Sequence, residues 1–211
     1  MKHQIIIVVC LILLISTATQ SQFIRGYGLK LALTSSDDQY ENSFAPNLET
    51  KRRIGFNVGG FIEWLDVPFF SFITQLEYDQ KGAGQVFNRR DEYNNDLGDI
   101  TQYGKLDYVS IPLLVKLRYP AGIFTPYIVG GPRFDFLVGF QSDKNLFNTL
   151  YRQLKKNSIG GSVGIGVETE SILPTTFLAE LRYNFDFQDS FKNAFVHTRN
   201  DSYDLWLGVA F

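Results

Sequence analysis

Apolar side chains recur at every second residue over eight separate segments, and this constrains the chain more than any other feature of its sequence. A period of two marks strands whose two faces meet different environments. The segments are Ile24 to Thr34, Arg53 to Trp64, Phe69 to Tyr78, Leu106 to Tyr119, Tyr127 to Val138, Asn157 to Thr169, Thr175 to Phe187 and the run closing on Phe211. In the last, Tyr203, Leu205, Leu207, Val209 and Phe211 alternate with Asp204, Trp206, Gly208 and Ala210.

The connections carry a second pattern. Leu65 to Pro68, Pro120 to Thr125 and Glu170 to Pro174 are tight turns of Pro, Gly, Asp or Ser. Ser35 to Thr50, Asp79 to Lys105, Gly139 to Lys156 and Gln188 to Asn200 read as long polar loops. Long and short connections that alternate put every long loop on one side. That is the layout of a transmembrane barrel with short periplasmic turns and longer extracellular loops. Each segment also reaches the ~9–11 residues that a tilted strand needs to cross a bilayer. The expected fold is all-β: an eight-stranded antiparallel transmembrane β-barrel, an up-and-down meander over residues 23–211.

Composition excludes other classes. A net charge of −2 and a pI near 5.7 leave no basic surplus for a nucleic acid. Aromatic residues make up 15% of the chain, with 19 Phe and 11 Tyr. Residues 1–22 read as a signal peptide: Lys2 and His3 precede the apolar run Ile5 to Ile15, which is too short for a membrane helix. Cleavage is expected after Ala18 or within the next few residues. The single cysteine, Cys10, lies inside that run after Val9, which argues against lipid attachment and leaves the mature chain without a thiol.

A soluble ligand-binding barrel, lipocalin-like and secreted, would turn its apolar face inward. Here the charged face is narrow and mixes signs, while Tyr78, Tyr119, Tyr183, Tyr203 and Phe211 sit near segment ends on the apolar face, as girdle residues do. The apolar face is therefore expected to meet lipid. The lumen then receives Glu63, Glu77, Lys116, Arg118, Arg133, Asp135, Glu168, Glu180 and Arg182, together with Lys30 and Asp204. Opposite charges in so narrow a bore should pair and hold it shut; a proton or small-solute path is the alternative. The small face of Gly160, Ser162, Gly164 and Gly166 leaves room for a bulky partner such as Trp206 or an arginine.

Leu106-Asp107-Tyr108-Val109-Ser110-Ile111-Pro112-Leu113-Leu114-Val115-Lys116 and Pro126-Tyr127-Ile128-Val129-Gly130-Gly131-Pro132 resemble the small outer-membrane barrels of Bacteroidota often labelled PorT-like. The resemblance covers essentially the whole mature chain. It implies an integral outer-membrane location, and the named member is an accessory of the type IX secretion pathway. The chain end closing on Phe211 resembles the signal read by the barrel assembly machinery.

Candidate sites outside the lumen are few. Asp143 reads as a helix cap, with Leu146, Phe147, Leu150, Tyr151 and Leu154 as an apolar stripe and Arg152, Lys155 and Lys156 in the last turn. Such a helix would fold over the barrel mouth or meet lipopolysaccharide phosphates or a partner protein. His197 is the only imidazole after residue 22, near Ser190, Asp201 and Ser202, and a lipid-A-modifying enzyme would have to use it. With one His and no Cys, no metal site is expected; Asp37-Asp38 and Asp91-Glu92 are acidic loop pairs read as solvated charge, with Ca²⁺ binding at the outer surface as the alternative. Gly82-Ala83-Gly84 lacks the strand–helix context of a phosphate loop. No catalytic residue, cofactor or metal is assigned. The expected partners are outer-membrane lipid and lipopolysaccharide, the assembly machinery during biogenesis, and an envelope protein. The expected role is a non-enzymatic interaction, accessory or membrane-stabilising component of the cell envelope.

Overall fold

The computed structural model describes residues 23–41, 50–93, 95–142, 155–170, 175–189 and 197–211. Residues 1–22 and the Leu146–Leu154 stripe lie outside them. The described residues form nine strands: β1 (Ile24–Glu41), β2 (Thr50–Val67), β3 (Phe70–Lys81), β4 (Ala83–Arg90), β5 (Asp96–Arg118), β6 (Phe124–Ser142), β7 (Asn157–Glu170), β8 (Thr176–Asp186) and β9 (His197–Ala210). All pairings are antiparallel, and β1 pairs with both β2 and β9, which closes the sheet. β3 and β4 are one stave broken at Gly82. The ring is therefore β1-β2-β3-β5-β6-β7-β8-β9, an eight-stranded meander.

The strands run well past the segments read from alternation. β1 continues to Glu41 and pairs with β9 as far as His197. The stretch Asp79 to Lys105, expected as a polar loop, is mostly strand: β4 pairs with the first part of β5 as a hairpin closed by residues 91–95. Beyond the bilayer both faces of a strand meet water, so alternation disappears although backbone pairing continues. Asp37 and Asp38 accordingly fall within β1 rather than in a loop.

Gly82 marks the change from β3 to β4. Its φ is +138°, and a Cβ there would stand 2.0 Å from the carbonyl oxygen of Gly104. Only glycine satisfies both conditions.

The outward face is apolar. Leu31 is 65% exposed and its register partner Leu207 61%. Aromatic pairs bound this belt. Tyr27–Phe211 (ring centroids 6.2 Å apart) and Phe23–Trp64 (5.6 Å) lie at the end holding the two described chain ends; Phe56–Tyr78 (6.3 Å) and Tyr183–Tyr203 (4.9 Å) lie at the other. An apolar belt between aromatic girdles is the surface a bilayer selects, and it is the reverse of a soluble lipocalin-like barrel. Among the described residues no helix is long and apolar enough to cross a membrane.

Candidate functional site

Inward positions recur every second residue on each strand, so eight strands aim their charged side chains at one narrow bore. Three clusters fill it. At the end with short turns, Glu63 accepts from Lys116 (3.2 Å), from Arg118 and from Ser71 (2.8 Å). Lys116 also pairs with Glu168, and Arg118 donates to Ser71. Arg25, partly exposed, reaches Glu63 at 3.3 Å.

Next along the bore, Arg182 donates to Glu180 (2.8 Å) and to Glu77 (2.8 Å). Glu180 further accepts from Lys30 (3.4 Å) and from the Tyr127 hydroxyl (3.0 Å). The guanidinium of Arg182 also stacks 5.1 Å from the ring of Trp206. At the long-strand end, Arg133 donates to Asp135 (2.9 Å) and Asp186 (2.7 Å), while Lys81 donates to Asp135 (2.7 Å).

Arg182–Glu180 and Arg133–Asp135 run along one strand, whereas most other pairs reach past the neighbouring strand. Lys30–Glu180, Lys81–Asp135, Lys116–Glu63, Lys116–Glu168, Arg118–Glu63 and Arg133–Asp186 each join strands two places apart in the ring. A long side chain on one strand passes over its neighbour to the next. Small residues on the wall make this possible. A Cβ on Gly166 would stand 2.3 Å from the Tyr127 ring, and one on Gly160 would stand 3.2 Å from Arg133 Nη2. The room on β7 is thus taken in part by Tyr127 and an arginine.

All nine charges singled out for the lumen are buried there, as are Lys30 and Asp204. Asp79, Lys81 and Asp186 belong with them, although alternation does not reveal them. The first two follow Tyr78, where the alternating segment stops, and Asp186 sits near the end of its own. An apolar group also enters the lumen: Phe61, Ile73, Leu114, Tyr127, Val129 and Leu178 pack together. Inward apolar residues break no alternation rule loudly enough to be seen in sequence. Arg182 and Trp206 are both at 0% exposure, so the described bore is closed to water where they meet.

Of the residues grouped with His197, Asp201 and Ser202 have described side chains. Asp201 and Ser202 are consecutive in β9 and so point to opposite faces. Asp201 accepts from Arg52 (3.4 Å), and Ser202 accepts from Asn184 (3.1 Å). Ser190 lies outside the described residues. No group of three or more His, Cys, Asp or Glu is placed to hold a metal ion among the described residues. Asp91 sits in the hairpin turn, where it accepts from the Tyr93 amide (2.9 Å) and the Asn95 amide (2.8 Å).

A closed antiparallel barrel with a lipid-facing apolar belt, aromatic girdles and a charged interior is an integral outer-membrane protein. The outer membrane protein beta-barrel domain family matches residues 20–192, and the chain belongs to it. Among solved structures, outer membrane protein AlkL is 11% identical, covering 88% of this chain and 89% of that one with a TM-score of 0.51. OprG from Pseudomonas aeruginosa is 10% identical (90% and 98% covered, TM-score 0.49), and the outer membrane enzyme PagL 8% identical (85% and 97%, TM-score 0.47). At these identities the likeness extends to the fold alone. No curated protein matches the chain.

Proposed function

We propose that this barrel is a non-enzymatic interaction or accessory component of the cell envelope, one that works through its outer surface. The observation that carries this reading is the filled lumen. Buried ion pairs and an apolar cluster occupy the bore of the described barrel, so the interior is structure rather than passage. A general diffusion pore would need about 16 strands or more.

The β4–β5 hairpin is the surface best placed to act. Its turn holds Tyr93, 85% exposed, and Leu97 stands exposed at the start of β5. Aromatic and apolar side chains presented on a ribbon, clear of the bilayer, suit an envelope protein partner. The annulus below would take membrane lipid, with lipopolysaccharide in the outer leaflet. The exposed Phe211 ring at the end of β9 would serve the assembly machinery; its amide donates to the Tyr27 carbonyl at 2.8 Å. The PorT-like resemblance makes secretion-associated proteins the first partners to look for.

Affinity purification of the tagged protein from native outer membranes in mild detergent, with mass spectrometry of the eluate, tests this. Stoichiometric recovery of an envelope component, lost when Tyr93 and Leu97 are replaced by serine, is the expected result. Recovery of the barrel with lipid alone would make it a free-standing membrane-stabilising protein instead. An altered lipid A mass on overexpression, abolished by His197→Ala, would make it an enzyme.

A further inference from the structure

The charges of the lumen do not all cancel. Among the described residues, Asp79 and Asp204 are buried carboxyl groups with no lysine or arginine nitrogen within 4.0 Å, whereas the other buried ones have such a partner. Asp204 is satisfied by neutral donors, since its two oxygens accept from Thr34 (2.5 Å) and Asn184 (2.6 Å). Asp79, just past Tyr78 of the outer girdle, is 2% exposed and its Oδ1 receives no donor.

Every wall around Asp79 withholds a free cation. Its register partners are Asn57 on β2 and Tyr108 on β5, and Ser110 stands opposite Glu77; none of the three carries a charge. β1 buries Thr34 and Ser36, and β7 buries Ser158 and Ser162. The charges that act on Asp79 are Glu77 and Lys81 on its own strand, Arg133 and Asp135 on β6, and Asp204 on β9. Lys81 is bound to Asp135 at 2.7 Å, and Arg133 to Asp135 (2.9 Å) and Asp186 (2.7 Å). Arg182 on β8 is held by Glu77 and Glu180. Like charges thus press on Asp79 from three residues, while the cations near it are taken.

A buried carboxyl group so placed sheds its charge by binding a proton. A proton needs no cavity, and Asn57 supplies what the neutral acid requires. Asn57 Nδ2 is a donor without a partner and Asp79 Oδ1 an acceptor without one, on directly opposed residues whose Cβ atoms stand about 4.5–5.5 Å apart. Asn57 Oδ1 accepts from the Gln80 amide at 3.1 Å and keeps a second lone pair for the carboxyl proton.

We propose that Asp79 holds a proton at neutral pH and that its loss in alkaline medium is a switch for the outer mouth of the barrel. The proton leaves to solvent at that mouth. The new carboxylate then competes with Asp135 for Lys81, two residues along β3. The Lys81–Asp135 pair ties β3 to β6 beside Gly82, where β3 passes into β4, so weakening it loosens the foot of the β4–β5 hairpin.

Infrared spectroscopy of the full-length protein in micelles reads the proton directly. The carbonyl stretch of a protonated carboxylic acid should be present in the wild type at neutral pH, vanish as the pH is raised, and be missing from Asp79→Asn. No such band at neutral pH would overturn the proposal, as would one that survives intact in Asp79→Asn.

Stability carries the same signature. The unfolded chain ionises this carboxyl near about 3.9. A folded barrel that keeps the proton beyond that value binds more protons than the unfolded chain, so its stability falls as pH rises through the interval and levels off once the proton has left. Measured with urea in micelles, the folding equilibrium constant of the wild type should drop about tenfold per pH unit relative to Asp79→Asn, which mimics the neutral acid. A difference between the two proteins that does not change with pH would mark a merely structural role and overturn the proposal. Hydrogen exchange at residues 83–90 should accelerate in the wild type, relative to Asp79→Asn, at the pH where the infrared band is lost. Equal exchange in both proteins across that transition would overturn the switch. Where Asp79→Asn fails to fold, the wild type decides alone: the band and the exchange at residues 83–90 must change at the same pH, and a band lost without any step in exchange overturns the switch.

Discussion

Arg182 on β8 meets Glu77 on β3 at 2.8 Å, and the two strands stand four places apart in a ring of eight, so this ion pair spans the diameter of the barrel. Arg182 also holds Glu180 and stacks on Trp206, which makes it the point where opposite walls are tied. Arg182→Ala would leave Glu77 buried without a cation. Removing one partner of a buried pair costs about 3–5 kcal/mol. The expected result is a lower midpoint for heat-induced gel migration, partly restored by adding Glu77→Gln.

Gly82 allows β3 to pass into the β4–β5 hairpin. Gly82→Ala places a Cβ against the Gly104 carbonyl in a backbone region that alanine avoids. Strain of this kind costs about 1–3 kcal/mol. Ser36 Oγ donates to the Gly82 carbonyl at 2.7 Å, so the disturbance reaches β1 as well. Protease added to intact cells should cut the variant within residues 83–103 faster than the wild type, while the membrane-embedded staves stay protected.

The eight staves are legible in the sequence because lipid on one side and a polar lumen on the other force a period of two. Leu205, Trp206 and Leu207 show the rule, since only Trp206 turns inward. The pattern fades where that contrast ends. Lys81 lies beyond Tyr78, where the outward face leaves the lipid, so the loss of alternation hides a residue that pairs with Asp135. Individual partners are also out of reach. Nothing local says that Lys116 meets Glu63 and Glu168, because the ring of strands sets those distances, not their order in the chain.

The lipid-facing reading makes a depth-dependent prediction. Leu31 lies on β1 midway between Tyr27 in one girdle and Ser35, the register partner of Tyr203 in the other. Leu31→Arg should therefore destabilise the barrel by about 2–4 kcal/mol when refolded into lipid vesicles. Ile54→Arg, next to the outer girdle, should cost about 0–1 kcal/mol. Equal costs at the two positions would mean that the belt does not sit in the bilayer as described.

The hairpin turn should respond to acid. The side-chain and backbone amides of Asn95, followed by the Tyr93 amide, hold the Asp91 carboxyl below its ordinary value. A lowered folded-state value means that the stabilisation is complete above the unfolded value near 3.9 and is lost as pH falls through the folded one. The turn should therefore stay intact from neutral pH down past about 4 and open only below that. Amide exchange at Tyr93 and Asn95, followed by NMR in micelles, should rise below about pH 4 in the wild type and be high at every pH in Asp91→Ala.

Tyr127 couples the wall to the charges it covers. Its ring lies on Gly166, its hydroxyl donates to Glu180 at 3.0 Å, and Lys116 Nζ sits 4.3 Å from its centroid. Gly166→Ala would put a methyl group 2.3 Å from that ring. The ring must then move, and overpacking of this kind costs about 1–3 kcal/mol. Tyr127→Leu should be costly in the wild-type background, because Glu180 loses a donor. It should cost much less after Gly166→Ala, where the ring has already left its seat. A double-mutant cycle on unfolding free energies in micelles should give a coupling of about 0.5–3 kcal/mol. Strict additivity would show that Gly166 does not seat the ring.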